Sequence, residues 1–310
     1  MAVRTSDRDI VILSGGTGGA KLARGIADVA GPERLSVIAN TGDDIEIYGA
    51  HVSPDPDLVS FWLADTIDDR GWGLEGDSFA VMDALRELGV DVWFNLGDRD
   101  LAWCLERARM LAEGLSPTIA LARLNDAIGV RTRVLPMSDD PIRTWVRTGS
   151  VGWCAFQEFM IRERASGLIE GLEYRGAEQA HASAEVLDAI ASARTIVIGP
   201  SNPLASIAPI LAVPGIHEAL HAAAAPIVAV SPIVGGAVLK GPTESFMAFG
   251  ALECNANGVA DFYGELLDGI LADEDVARLT TLQTDTRMDD AHGRARVAEQ
   301  TLSFAQALAA

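Results

Sequence analysis

The chain has 310 residues, of which 49% are hydrophobic and 22% are charged, a composition typical of folded globular proteins. Its 44 acidic and 24 basic residues give a net charge of −20. Most of such a surface would repel a phosphate backbone, so we exclude a nucleic-acid-binding protein. The longest apolar stretch, residues 226–239, is interrupted by Ser231, Pro232 and two glycines. No segment reaches the ~20 residues that cross a bilayer, so no membrane partner is expected.

The N-terminus and the cysteines indicate a cytoplasmic protein. The first residues are charged and lead into a short apolar run that ends at glycines, without the long apolar region of a signal peptide. Cys104, Cys154 and Cys254 lie far apart in the sequence and form no C-x-x-C pair. We therefore expect buried free thiols rather than a disulfide framework or a zinc ribbon.

Short apolar runs alternate with helix-length segments along the chain. Each run ends in a polar or glycine-containing loop, which predicts buried parallel strands at residues 10–13, 35–39, 92–96, 195–198 and 227–230. Helical spacing of apolar residues predicts helices at residues 21–29, 77–88, 101–113, 183–193 and 216–224. This order predicts a doubly wound α/β fold whose ligand-binding loops follow the carboxyl ends of the strands.

Residues 136–182 do not follow this alternation. They contain Trp145, Trp153, Phe156 and scattered charges, without a clear strand and helix pattern. We interpret the segment as an inserted subdomain, which leaves residues 1–135 and 183–310 for the main α/β domain. The tail after Ala260 is expected to be helical.

The first predicted strand runs into a glycine-rich turn and then a helix. This arrangement lets bare backbone approach a phosphate at the helix N-terminus. The candidate phosphate-binding residues are Gly15, Gly16, Thr17, Gly18 and Lys21. The turn is not a Walker A motif, because Ala20 precedes Lys21, and it is not G-x-G-x-x-G, because Lys21 stands where the third glycine would be. The alternative is a tight structural connection without a ligand. The chain's other lysine, Lys240, also follows a glycine-rich turn.

Two acidic turns follow the second predicted strand. The first is Asn40-Thr41-Gly42-Asp43-Asp44, and the second is Ser53-Pro54-Asp55-Pro56-Asp57. Two carboxylate clusters near a phosphate cradle suit a magnesium-assisted phosphoryl transfer, because Mg²⁺ prefers oxygen ligands and bridges to substrate phosphates. A pair of solvated turns is the alternative.

Two later loops add polar side chains. The run at residues 92–96 leads into Asn95-Leu96-Gly97-Asp98-Arg99-Asp100, in which Arg99 could contact a phosphate. Ser201 and Asn202 follow the fourth predicted strand and suit hydrogen bonds to a ribose, a base or a phosphate. Both are also ordinary turn residues.

Residues His217-Glu218-Ala219-Leu220-His221 match H-E-x-x-H, the zinc-protease helix motif. The extended form of that motif needs a glycine and a third histidine, but Ala224 and Ile227 occupy those positions. An amphipathic helix explains the residues without a metal, so we expect no zinc site.

The ordered set of loops resembles the 2-phospho-L-lactate transferase family, which makes the deazaflavin coenzyme F-420. The resemblance covers nearly the whole chain. Its motifs are Ser14-Gly-Gly-Thr-Gly, Asn40-Thr-Gly-Asp-Asp, Ser53-Pro-Asp-Pro-Asp, Leu96-Gly-Asp-Arg-Asp, Leu135-Pro-Met-Ser-Asp-Asp, Phe156-Gln-Glu-Phe, Gly199-Pro-Ser-Asn-Pro and Val230-Ser-Pro-Ile.

The resemblance implies a Rossmann-like fold with a smaller inserted subdomain, Mg²⁺ as cofactor, and a specific reaction. The family transfers a phosphorylated three-carbon acid from a guanosine diphosphate donor to the terminal ribityl hydroxyl of 7,8-didemethyl-8-hydroxy-5-deazariboflavin, releasing GMP. The acid could be the phospholactyl, phosphoenolpyruvyl or phosphoglyceryl group. A homodimer is also compatible with the resemblance.

The resemblance also implies roles for individual residues. The glycine turn and the loop at residues 199–203 would hold the guanosine diphosphate part. Asp57 would contact the deazaflavin and orient or deprotonate its hydroxyl, and Asn95 lies where the family also contacts the deazaflavin. Asp43 would bind the metal, a role that Asp44 could share.

A second hypothesis comes from a related branch of the superfamily, whose members are regulatory proteins that bind nucleotide sugars and have no known catalysis. Their glycine-rich start is similar. The joint presence of Asp55, Asp57 and the Leu96-to-Asp100 motif favours the enzyme.

Overall fold

The computed structural model of the chain describes residues 8–238 and 241–309. The strands are β1 (Ile10–Ser14), β2 (Leu35–Ala39), β3 (Ile45–Ile47), β4 (Ala50–Val52), β5 (Arg133–Pro136), β6 (Arg143–Thr148), β7 (Gly152–Ala155), β8 (Ile169–Arg175), β9 (Thr195–Ile198), β10 (Ile227–Val230), β11 (Ile233–Val234), β12 (Ala237–Val238), β13 (Gly269–Ala272) and β14 (Thr280–Gln283). The helices are α1 (Gly16–Ala30), α2 (Pro54–Leu63), α3 (Ala80–Glu87), α4 (Asp98–Ala112), α5 (Pro117–Ala127), α6 (Phe156–Ile161), α7 (Ala184–Ser192), α8 (Ala208–Leu211), α9 (Ile216–Ala222), α10 (Thr243–Phe249), α11 (Ala256–Tyr263) and α12 (Ala291–Leu308).

A parallel seven-stranded sheet lies at the centre, in the order β14-β13-β10-β9-β1-β2-β5. The chain builds outward from β1 through β2 to β5, then returns to β9 and builds outward on the other side. The strand order therefore reverses between β1 and β9. Loops that leave neighbouring strands on the two sides of such a reversal diverge and open a crevice, which is where doubly wound folds bind ligands.

Alternating side chains of the strands pack on opposite faces of the sheet. Ile10 and Ile12 of β1 join the core formed with α1, α2 and α12. Val11 and Leu13 join the core formed with α6, α7, α9, α10 and α11. Because both faces are covered, the central strands are mainly apolar rather than alternating between apolar and polar residues. The predicted doubly wound α/β class is confirmed.

Four of the five predicted strands are confirmed, as β1, β2, β9 and β10. The strand predicted at residues 92–96 is wrong, because that segment has no regular structure. Its side chains Val92, Phe94 and Leu96 pack instead in a small core with the β3–β4 hairpin and α4. A short apolar run indicates that a segment is buried, but it does not indicate the backbone geometry. The pattern alone therefore did not distinguish a buried strand from a buried irregular segment.

The helix predictions hold with shifted ends, and the tail prediction is wrong in part. The helix expected at 77–88 is α3, which spans Ala80–Glu87. After α11 the chain forms the two edge strands β13 and β14 before the last helix, α12. Strand β5, at the opposite edge, was also missed.

Residues 136–182 contain a three-stranded antiparallel sheet in the order β7-β6-β8, together with α6. This sheet contacts the first acidic turn. The Thr144 N–H donates to the Gly42 carbonyl at 2.7 Å, and Arg143 forms an ion pair with Glu46 at 2.6 Å. The domain boundaries at 136 and 182 stay predictions.

Among residues 8–238 and 241–309, no single helix is long and apolar enough to cross a membrane; the pair at 203–211 and 216–222 passes that test together but is bent by 84°. All three cysteines are free thiols; Cys104 and Cys154 are buried and Cys254 is half-buried. Lys240 lies outside the described residues.

Candidate functional site

The glycine-rich turn connects β1 to α1 and interlocks with the loop after β9. A Cβ on Gly18 would lie 2.1 Å from the Pro200 carbonyl oxygen, so only glycine fits there. The Gly15 N–H donates to the Ser201 hydroxyl oxygen at 3.2 Å, and the Ser201 hydroxyl donates to the Gly15 carbonyl at 2.7 Å. Gly16 has a φ of +63°, which also favours glycine. The two loops therefore form one rigid edge at the point where the strand order reverses.

Ser201 and Asn202 hold the backbone of this edge in the structure. The side-chain amide oxygen of Asn202 accepts from the N–H groups of Leu204 and Ala205, both at 3.0 Å, and so caps a π-helical turn at Pro203–Ile207. π-Helical turns are uncommon and frequently lie at functional sites. The predicted ligand-binding roles of both side chains stay predictions.

Thr17 and Lys21 lie on α1 beyond the turn. Gly15 has no side chain to cap α1, so the N–H groups of the first helical turn face the crevice with their positive dipole ends. The Lys21 ammonium lies 5.8 Å from the centre of the Trp62 ring. The geometry of a helix N-terminus with a nearby cation is suited to an anion.

Two carboxylates from separate acidic turns meet at this helix end. The Asn40 amide donates to Asp43 and to Asp55, at 2.9 Å in each case. Asp55 also accepts from the Gly16 N–H at 2.6 Å. Asp43 and Asp55 are only 7% and 5% exposed. The strand ends of β1 and β2 and the start of α2 thus bring two buried acids to one place.

Burial and the negative charge of neighbouring carboxylates disfavour the ionised form of both acids. Burial, followed by the charge of Asp55, raises the pKa of Asp43 well above its ordinary value. Burial raises the pKa of Asp55 to about 6. A divalent cation between them would remove both penalties, and Mg²⁺ prefers carboxylate oxygens. The donor set therefore fits Mg²⁺.

Asp44, the other predicted metal ligand, has different partners. It accepts from the Ser53 hydroxyl at 2.7 Å and lies 3.1 Å from Nε2 of His51. Burial alone would lower the pKa of His51, but hydrogen bonds to Asp44 and Glu46 raise it to about 9. A protonated His51 balances the charge of Asp44. The structure pairs Asp43 with Asp55, not with Asp44, and sequence spacing did not show this.

Asp57 lies on the same turn of α2 as Asp55 but has other contacts. Its carboxylate forms a two-point ion pair with Arg107, in which Nη1 donates at 2.9 Å and Nη2 also donates. The indole N–H of Trp103 donates to it at 2.8 Å. Asp57 is 4% and Arg107 3% exposed. Both carboxylate oxygens are therefore engaged with α4.

The Leu96-to-Asp100 motif has a structural explanation that the sequence did not suggest. Asp98 accepts from the N–H groups of Ala80 and Val81 and so caps α3. Asp77 accepts from the N–H groups of Arg99 and Asp100 and so caps α4. The reciprocal caps fix the start of α4 relative to α3.

This cap orients Asp100, a residue that sequence reasoning did not single out. Its carboxylate, that of Asp57 and the Cys104 thiol lie with their ligand atoms within 4.8 Å of one another. Burial, followed by the charges of Asp57 and Asp77, raises the pKa of Asp100 to about 7. The signal that could have found it is helical spacing, since Asp100, Cys104 and Arg107 share one face of α4.

Asn95 and Arg99 are exposed. The side-chain amide oxygen of Asn95 accepts from Arg86 at 2.6 Å, and Arg99 donates to the backbone carbonyl of Glu75 at 3.0 Å. Within the described ranges, no hydrogen bond or ion pair connects either side chain to the buried acids. Their roles in substrate binding stay predictions.

The H-E-x-x-H residues form an exposed patch on α9. The rings of His217 and His221 lie with their centres 4.5 Å apart. Glu218 accepts from the Gly215 N–H at 3.0 Å and caps the helix. Neither histidine belongs to the group of three metal-capable side chains found in the described part of the chain, which is Asp57, Asp100 and Cys104.

Comparisons with known proteins agree on one family. A family model described as "2-phospho-L-lactate transferase CofD" matches residues 10–303. A 2-phospho-L-lactate transferase from Methanosarcina mazei is 39% identical over 266 residues, covering 86% of this chain and 87% of that protein. A phosphoenolpyruvate transferase from Kitasatospora aureofaciens is 44% identical over 275 residues, covering 85% and 84%.

A solved structure from Bacillus halodurans, described as a member of the UPF0052 family, is similar to this chain in fold. It superposes with a TM-score of 0.63 at 18% identity and covers 95% of this chain and 99% of that one. At that identity the likeness concerns the fold alone.

Proposed function

The chain belongs to the 2-phospho-L-lactate transferase CofD family, and from this premise we propose the reaction that it performs. It moves a phosphorylated three-carbon acid from a guanosine diphosphate donor to the ribityl hydroxyl of 7,8-didemethyl-8-hydroxy-5-deazariboflavin, and GMP leaves. The observation that carries the proposal is the meeting of Asp43, Asp55 and the Gly16 N–H at the α1 N-terminus.

Asp43 and Asp55 are the residues that would hold Mg²⁺. Their shared Asn40 amide fixes both carboxylates, and burial raises the pKa of each, a cost that a bound cation would offset. When bound, the ion neutralises part of the diphosphate charge, which lowers the barrier to phosphoryl transfer. Asp44 contacts His51 and Ser53 and so stabilises the turn at residues 40–44.

The donor would bind along the rigid edge made by the two interlocked loops. The first-turn N–H groups of α1, at Thr17 and Gly18, present positive dipole ends to the diphosphate. Lys21, one helical turn further on, adds a cation. The backbone of residues 199–203 lies directly across from Gly18 and would contact the nucleoside.

The acceptor would bind on the α4 side of α2. Because Arg107 and Trp103 hold Asp57 in one position, this carboxylate supplies a fixed negative charge beside the deazaflavin. The ribityl hydroxyl then attacks the phosphorus that carries the three-carbon acid. Catalysis comes mainly from positioning and from stabilising the charge on the equatorial oxygens.

The test is a product assay with purified protein, Mg²⁺, deazaflavin and each of the phospholactyl, phosphoenolpyruvyl and phosphoglyceryl donors. We expect mass spectrometry to find a phosphodiester product and an equal amount of GMP with at least one donor. One relative is named for phospholactate and another for phosphoenolpyruvate. Competition among the donors would therefore show which acid this chain prefers. Donor binding without product from any of the three would favour a nucleotide-binding regulator and overturn the transferase.

A further inference from the structure

Asp57, which is buried, and Asp100, which is half-buried, form a pair of neighbouring acids with unequal surroundings. Asp57 is bound on both oxygens by Arg107 and Trp103. Among the residues that the structure describes, Asp100 forms no ion pair and accepts one side-chain hydrogen bond, from the Cys104 thiol at 3.7 Å. Asp100 is also more exposed than Asp57. Of the two, Asp100 is the carboxylate that a ligand can reach.

A catalytic base must be able to take up a proton without losing the contacts that hold its side chain in position. Protonation of Asp57 would break a buried ion pair and leave the Arg107 guanidinium uncompensated, which is costly. Cys104 is fully buried, and burial raises the pKa of its thiol well above the ordinary value, so it remains protonated. The ion pair of Asp57 and the full burial of Cys104 therefore leave Asp100 as the candidate base of this group.

We propose that Asp100 is the catalytic base of the transfer, and that the Asp57–Arg107 ion pair positions the acceptor beside it. The inference rests on the proposed function. The ribityl oxygen forms a bond to the phosphorus that carries the three-carbon acid, and the bond from that phosphorus to the bridging oxygen of GMP breaks. The hydroxyl proton passes to the Asp100 carboxylate, and the bond electrons leave with GMP.

The groups around Asp100 set the pH at which it works. Asp57 faces it from α2, Asp77 from the segment before α3, and Arg107 and Cys104 from its own helix. Burial and the two acids raise its pKa to about 7, while Arg107 opposes them. Since the ionised form accepts the proton, kcat should rise with pH through about 7 and then level.

The experiment compares pH profiles of kcat for wild type and for Asp100→Asn, with Glu106→Gln as a matched control on an exposed part of the same helix. Asp100→Asn should lower kcat by at least about 100-fold at pH 8 and remove the rising limb near pH 7. Asp100→Glu should restore part of the rate. Deazaflavin binding, measured by fluorescence, and thermal stability should stay close to wild type in Asp100→Asn.

The outcomes separate this inference from the proposed function. If wild type forms no product with any donor, the transferase proposal fails and the base fails with it. If wild type is active and Asp100→Asn keeps both its rate and its rising limb, only the base assignment is overturned. Loss of the limb in Asp57→Asn but not in Asp100→Asn would transfer the role to Asp57. Loss of rate with an unchanged limb would make Asp100 structural.

Discussion

At the scale of single residues, Asn40 and the acids it contacts show how a polar site is built inside a sheet edge. Its side-chain NH₂ group donates to both Asp43 and Asp55, and its side-chain oxygen accepts from the Gly42 N–H at 2.8 Å. The Asn40 side chain thus provides hydrogen bonds to two carboxylates and one backbone N–H, whose burial without partners would cost free energy. It does not neutralise the two carboxylates, which is why their pKa values stay raised.

The raised pKa values predict how stability depends on pH and Mg²⁺. A carboxyl whose folded-state pKa exceeds the unfolded value destabilises the fold once it ionises. For Asp55 this penalty is absent below the unfolded value of 3.8 and fully present above about 6. Without metal, wild-type stability should therefore fall across this range, and Mg²⁺ should recover it at pH 7.

Asp43→Asn tests this account, because it removes one charge with almost no change in size. At pH 7 in a chelator, the variant should melt at a higher temperature than wild type. Added Mg²⁺ should raise the melting temperature of wild type and leave that of the variant nearly unchanged. Asp65→Asn, at an exposed carboxylate, should respond to Mg²⁺ like wild type. An equal response of Asp43→Asn would remove Asp43 from the metal site.

At the scale of elements, the first turn of α2 divides the crevice into two sides. Asp55 points to α1 and Asp57 to α4, although one residue separates them. Successive helical residues differ by about 100° around the axis, so near neighbours in sequence face different partners. The ion pair between Asp57 and Arg107 therefore also fixes α4 against the helix that carries both acids.

This coupling predicts a specific pattern of stability losses. Asp57→Ala should lower the free energy of unfolding by about 3–5 kcal/mol, because the buried Arg107 guanidinium would lose its partner. The double change Asp57→Leu with Arg107→Met should recover most of that loss, while acceptor binding should not recover. Urea denaturation and deazaflavin titration measure the two effects separately. A double variant as unstable as Asp57→Ala would show that packing, not charge, dominates there.

At the scale of the whole molecule, the negative net charge disfavours binding of the anionic ligand that the site is proposed to hold. A chain of net charge −20 would bind the proposed anionic donor only where helix dipoles, Lys21 and the proposed metal act locally. The strand reversal between β1 and β9 creates that place, because it brings two glycine-containing loops face to face.

Nucleotide binding should therefore depend on the metal. With Mg²⁺, GDP at 100 times its Kd should stabilise the protein by about 2.7 kcal/mol, a rise in melting temperature on the order of 5 °C. With a chelator in place of Mg²⁺ the rise should largely disappear, and a DNA duplex should give none. Thermal melts at fixed ionic strength provide the measurement. An equal GDP effect in chelator would show that the glycine loop alone holds the diphosphate.

The sequence by itself determined the fold class and the family. Strands buried on both faces need apolar side chains on both faces, so β1, β2, β9 and β10 are visible in the sequence as apolar runs. Where two backbone segments pass closely, as Gly18 does at Pro200, only glycine fits. The sequence also placed Asp43 in a turn, whereas the second predicted turn is the start of helix α2, where Asp57 is buried.

Only the tertiary structure decided which acids meet. In the structure, Asn40 connects Asp43 to Asp55. Asp44 contacts His51, and Asp100 lies beside Asp57. The structure also showed that residues 92–96 are buried without forming a strand. These facts depend on contacts between elements distant in the chain, and local patterns of hydrophobicity and charge report burial and turns but not partners.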